Sequence, residues 1–246
     1  MPTITETFVT TRDNTTATSH TITPVTITSG KLAIVRFGVG SETVTVSSIA
    51  DTPGNTWNTA VYRVGTGDGF SLGIAYSVLT NSLSAQTITF NLSATSTFNC
   101  DLATFTSSTG WLPQASVLDR TASSLVNNQA AWSSTKTAMT QNLNDLLVGC
   151  CCRINVNGST STPGAGWIEE SDRITTNFNG SGDFVSQWKA VSARDTYDCT
   201  GTWGAAEFWV AAIAAFTPVA DAAVEDGIYV NDPTETILPE SPFWWG

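Results

Sequence analysis

Between residues 31 and 106 the chain alternates short apolar-patterned runs with clusters of turn formers, and this rhythm limits the fold more than any other feature. Lys31–Val39 opens the series, with Leu32 and Ile34 on one side and Ala33, Val35 and Phe37 on the other. Thr43–Ile49, Trp57–Val64, Phe70–Leu79, Thr87–Leu92 and Phe98–Thr106 follow, and Phe70–Leu79 alternates through Leu72, Ile74, Tyr76 and Val78. A period of two is the signature of a half-buried strand. Asp51-Thr52-Pro53-Gly54-Asn55 and Gly65–Gly69 separate the runs, and such clusters mark turns. After a Ser/Thr/Gly-rich loop, strands are predicted again at Leu146–Val156, Phe184–Ala193 and Glu207–Phe216. The Ala-rich stretch 205–215 lacks a 3.6-residue stripe with a polar back, so it reads as a central strand rather than a helix. Short strands with closely spaced turn signals predict an all-β fold, a two-sheet antiparallel sandwich of jelly-roll type with extended N- and C-terminal arms.

The domain is expected to cover residues 1–217, with the Thr-rich segment 1–30 as an edge strand or arm broken at Pro24. Residues 218–246 carry Asp221, Glu225, Asp226, Asp232, Glu235 and Glu240, contain no Lys or Arg, and are punctuated by Pro233, Pro239 and Pro242. That composition predicts an arm with no core of its own. Its Phe243, Trp244 and Trp245 are the expected partner-binding residues, because large aromatics are costly to leave in water.

Only 13% of residues are charged, with 10 Lys+Arg against 21 Asp+Glu, so neutral Thr, Ser and Asn must cover the surface. An acidic chain repels phosphate backbones, which argues against nucleic acid as a partner. There is no polybasic patch and no run of 18 apolar residues, so no membrane association is expected. Met1–Thr11 has neither a basic nor an apolar leader region, and the odd count of cysteines suits synthesis in a reducing cytosol.

Catalytic signals are weak. The single histidine, His20, stands in no triad-like motif and reads as a solvent-facing strand residue. Glu169 and Glu170 could serve a glycosidase only with a second acid such as Asp119 or Asp198, since neighbouring strand residues point to opposite faces. The bland reading of that acidic cluster is a solvated loop or strand end. Cys150-Cys151-Cys152 has neither metal-ligand spacing nor a nearby His, and is expected to be buried in a strand. No catalytic residue, metal or cofactor is assigned. Among the tryptophans, Trp57, Trp188 and Trp209 lie in predicted strands, whereas Trp111, Trp132 and Trp167 stand in polar loop contexts and are candidate glycan or partner contacts.

The succession Gly54-Asn55-Thr56-Trp57, Ile74-Ala75-Tyr76, Leu146-Leu147-Val148-Gly149, Gly166-Trp167, Gln187-Trp188-Lys189 and Trp209-Val210-Ala211-Ala212-Ile213 resembles jelly-roll sandwich domains of phage virion proteins and large secreted bacterial proteins. The resemblance covers roughly residues 25–217 and concerns framework positions. It implies the fold and carries no catalytic residues. The leaderless Met1 start, the cysteines suited to cytosolic synthesis, the neutral Thr- and Ser-rich surface and the arm-like ends lead to the expectation of a non-enzymatic bacteriophage virion structural protein, in a capsid decoration or a tail or fibre, made in the host cytoplasm. Such a protein works through contacts with itself or other virion subunits, as a homo-oligomer. The alternative is an extracellular carbohydrate-binding module that uses its loop tryptophans.

Overall fold

The computed structural model describes residues 2–66, 69–154, 161–175 and 182–220. Its elements are strands throughout: β1 Ile4–Ile27, β2 Leu32–Val39, β3 Val46–Asp51, β4 Asn58–Gly65, β5 Phe70–Val78, β6 Leu83–Ser107, β7 Leu118–Ser133, β8 Asp145–Ile154, β9 Ser161–Pro163, β10 Ile168–Thr175, β11 Gly182–Val191 and β12 Thr200–Phe216. They form two antiparallel six-stranded sheets. The first runs β1-β6-β2-β5-β4 with β3 also on β6; the second runs β10-β11-β8-β12-β7 with β9 also on β12.

The two sheets share one plan. Read from β7, the second order is β7-β12-β8-β11-β10, which is the first order with every strand replaced by the one six places later. The irregularities coincide as well. The β4–β5 ladder slips between Thr59 and Val61, and the β10–β11 ladder slips between Glu169 and Ser171. The β1–β6 register jumps from Ala17↔Ser96 to Ser19↔Asn91, and the β7–β12 register from Gln129↔Glu207 to Ala131↔Thr202. Each jump spends two residues on one strand against five on the other. Thr52-Pro53-Gly54-Asn55-Thr56-Trp57 leads into β4, and Thr162-Pro163-Gly164-Ala165-Gly166-Trp167 leads into β10. The chain is a tandem of two six-strand units.

Packing follows from alternation along the strands. Leu32, Ile34, Leu72, Ile74 and Tyr76 face Leu146, Val148, Cys150, Val210 and Phe216 in one core between the sheets. Each unit also buries the outer face of its own sheet. In the first, β6 turns back over that face, so Phe90 and Phe98 of one strand stack at 4.9 Å between ring centres. In the second, Trp132, Trp203, Trp209, Cys151, Val185 and Ile213 form the matching outer core.

Several expectations change. β6 joins two predicted strands, because its bend occurs within a continuous ladder to β1. β1 likewise continues past Pro24, which falls at a register shift between Ile22 and Val25. The stretch read as a loop before Leu146 holds β7, and the acidic cluster lies on β10. Residues 205–215 are strand, as the pattern predicted. The long arm beyond Ala220 lies outside the described residues.

Candidate functional site

The second unit carries a hollow of about 550 Å3 where β7, β9 and β12 meet. Its lining includes Val126, Trp132, Gly164, Thr200, Gly201, Thr202 and Trp209, and no charged side chain. In a chain of net charge −11, that uncharged concavity is set apart from its surroundings. It lies at the register jump between β7 and β12. Gly201 is needed there because a Cβ would come within 2.5 Å of the Trp132 indole. Trp209 donates its Nε1–H to the Gln129 carbonyl at 3.2 Å, whereas the buried Nε1 of Trp132 has no hydrogen-bond partner. A buried N–H without an acceptor is costly.

The three candidate loop tryptophans are all more than nine-tenths buried. Trp111 pairs in an isolated bridge with Pro218 and donates to the Phe105 carbonyl at 2.9 Å. Trp167 sits just ahead of β10 in the outer core. Trp132 belongs to strand β7 rather than to a loop, and it alone of the three borders the hollow. Their polar sequence neighbours gave no sign of this, because in an edge strand the solvent-facing positions are polar whatever the inward ones do. Phe243, Trp244 and Trp245 lie outside the described residues.

The acidic cluster is structural in its placement. Glu170 occupies the irregularity on β10, and its side chain, 1% exposed, is ion-paired with Arg36, which is fully buried between the sheets. Burial lowers the Arg36 pKa, and the nearby Asp101 carboxylate opposes that shift. Asp101 in turn accepts from the Ser186 hydroxyl at 2.8 Å, so this polar island ties the two sheets together across their core. Glu170 is therefore neither a solvated acid nor free to serve a substrate. A second buried pair, Arg153 with Asp183, joins β8 to β11, and Arg153 also lies over the Trp203 ring at 4.3 Å.

One carboxyl pair was invisible in the sequence. Asp119 on β7 and Asp145 at the start of β8 are brought together by the second sheet. The Thr217 hydroxyl donates to Asp145 Oδ1 at 2.8 Å, and the Gln141 amide donates to Asp119 Oδ2 at 2.7 Å. Arg120 reaches the Asp119 carboxylate at 3.2 Å. Burial pushes the Asp145 pKa up to about 7, helped by the adjacent Asp119 and opposed by the Thr217 hydrogen bond.

His20 is buried rather than solvent-facing. It stacks on Phe98 at 5.1 Å, and its Nε2 lies 3.1 Å from both the Ala17 and Ser96 carbonyls. Burial lowers its pKa against the pull of those two carbonyls. All five cysteines are buried, and none forms a disulfide. Cys150 and Cys152 face the other sheet and Cys151 the outer core, so the run alternates as a strand must; burial raises the pKa of Cys150 and Cys151. Among the described residues no group of three or more His, Cys, Asp or Glu could hold a metal, and no helix is long and apolar enough to cross a membrane.

No protein-family model, curated protein or solved structure matches the chain.

Proposed function

We propose that the protein is a non-enzymatic structural subunit that works through protein–protein contacts, and that its setting is a bacteriophage virion, as a capsid decoration or a tail or fibre component. The observation that carries the contact reading is the uncharged hollow around Trp132, Gly201 and Trp209 on an otherwise acidic protein. Concave, largely apolar surface with a few convergent polar groups is what binding sites offer. The buried ionisable groups support the same reading, since Arg36 with Glu170 and Arg153 with Asp183 hold strands and sheets to one another. The jelly-roll class belongs to this proposal through the framework resemblance, whereas the virion setting and synthesis in the host cytoplasm rest on the neutral Thr- and Ser-rich composition, the cysteine usage and the arm-like ends. The segment 218–246, with Phe243, Trp244 and Trp245, is the contact arm of the subunit. A carbohydrate-binding role retains one support, namely the hydroxyl groups of Thr200 and Thr202 beside Trp132 in the hollow.

Light scattering of the purified full-length protein over a hundredfold concentration range tests the contact reading. A mass that rises from monomer to a defined oligomer is expected. A monomer at every concentration, combined with saturable binding on a glycan array, would replace this reading with the carbohydrate one.

A further inference from the structure

The two units differ most at one equivalent position. In the first unit, His20 stands opposite Phe90 beside the register jump; His20 stacks on Phe98 at 5.1 Å, and Phe90 lies tilted against Phe98 at 4.9 Å. In the second unit the same register places Trp132 opposite Gly201, with Trp209 in the place of Phe98. Gly201 carries no ring where Phe90 does, and the Trp132 indole lies against the bare backbone instead. The hollow is bordered by these residues. It lies beside the position that the first unit fills with His20, Phe90 and Phe98.

What fills it must be apolar and uncharged at the contact and must come from outside the described fold. The chain supplies such a segment. Phe243-Trp244-Trp245 is uncharged and aromatic. The described fold ends at Ala220, and the 23 steps from there to Phe243 reach on the order of 75 Å when extended. That length is enough for the segment to reach a neighbouring subunit.

We propose that the hollow between β7 and β12 is the receptor for the Phe243-Trp244-Trp245 segment of a second copy of this chain. The inference rests on the reading of the protein as a self-associating structural subunit. One aromatic ring enters beside Trp132 and Gly201, and the segment runs as an added extended strand over the gap in the β7–β12 ladder. Each subunit thus offers one arm and one receptor. Such heterologous contacts build a closed ring or an open filament according to the rotation between subunits.

The test uses two full-length variants. Trp244→Ala/Trp245→Ala disables the arm. Thr202→Arg/Thr135→Arg puts cationic bulk at the mouth of the hollow, and both threonines are exposed, so the fold tolerates the change. Light scattering and sedimentation should show each variant alone associating at least tenfold more weakly than the native protein. Their equimolar mixture should form pairs, because one supplies an intact receptor and the other an intact arm. A synthetic peptide of residues 238–246 should bind the arm variant saturably and leave the hollow variant untouched. If the native protein assembles and neither variant weakens it, or if the mixture forms no pairs, the hollow is not the receptor although the assembly reading stands. If the native protein is monomeric throughout, the assembly reading falls and this inference with it.

Discussion

The first unit fills one place in its outer core with three rings, and the second fills the same place differently and beside a hollow. His20, Phe90 and Phe98 pack together where Trp132, Gly201 and Trp209 border that hollow. The units also divide the charge between them. Leu32 pairs with Phe105 as Leu146 pairs with Phe216, so Arg36 and Cys150 hold equivalent positions; the shared irregularity likewise makes Glu170 the counterpart of Ala60. The Arg36–Glu170 ion pair thus has Cys150 and Ala60 as its mirror image across the same core. A backbone plan tolerates such exchanges when volume and polarity are balanced at both members of a contact. The difference between the units teaches where the plan has been varied, and those places are the ones available for function.

The largest expected effects come from damaging the first unit. Phe90→Ala should cost about 3–5 kcal/mol, the usual range for a fully buried Phe, measured by urea unfolding. Because Gly201 already lacks that ring, no corresponding loss exists in the second unit. Arg36→Cys should cost a comparable 3–5 kcal/mol, since it strands Glu170 without its partner in the core. The triple variant Arg36→Cys/Glu170→Ala/Asp101→Ala copies the mirror-image set, in which Ala212 stands opposite Cys150, and part of the loss should be recovered. If the triple is no more stable than the single, the equivalence of the two sets is broken.

A smaller effect separates the units by pH. A carboxyl raised to about 7 in the folded state, against an ordinary value near 4, holds a proton that the unfolded chain has released. Stability from Asp145 is therefore fully present below about pH 4, declines as pH rises toward 7, and changes no further above that. His20 runs the other way: its folded pKa is lowered, so its contribution is present above the ordinary histidine value and declines as pH falls through the folded one. The melting temperature of Asp145→Asn should lose the Asp145 slope and keep the acid-side decline, and His20→Asn should do the reverse. Two parallel profiles would contradict the assignment.

Much of the fold was legible because burial on one face forces alternation. β2, β5, β8 and the buried half of β12 were visible in the period of their apolar residues. β7 was not, because it is an edge strand whose Ser and Thr positions are only half-buried and whose deeply buried residues, among them Trp132, are few. The duplication was nearly hidden: what survives in sequence is Thr-Pro-Gly followed by a tryptophan three places on, at residues 52–57 and 162–167. Ladder pairing constrains backbone geometry far more than side-chain identity, so the plan outlasts the residues. The hollow and the Asp119–Asp145 pair were not legible at all. Both are made by strand ends distant in sequence, and only register brings them together.

The account turns on Trp132 and Gly201 being the counterparts of His20 and Phe90 in the first unit. A double-mutant cycle on Trp132→His and Gly201→Phe, read by equilibrium unfolding, addresses this directly. Gly201→Phe alone should be strongly destabilising, because a Cβ there already meets Trp132 at 2.5 Å. Trp132→His alone should also destabilise by vacating buried volume. Together they install the arrangement of His20 and Phe90 in the second unit, and the double should be at least about 2 kcal/mol more stable than the sum of the single losses requires, within the range of coupling for residues in contact. Additive losses would show that the two positions are not equivalents of His20 and Phe90.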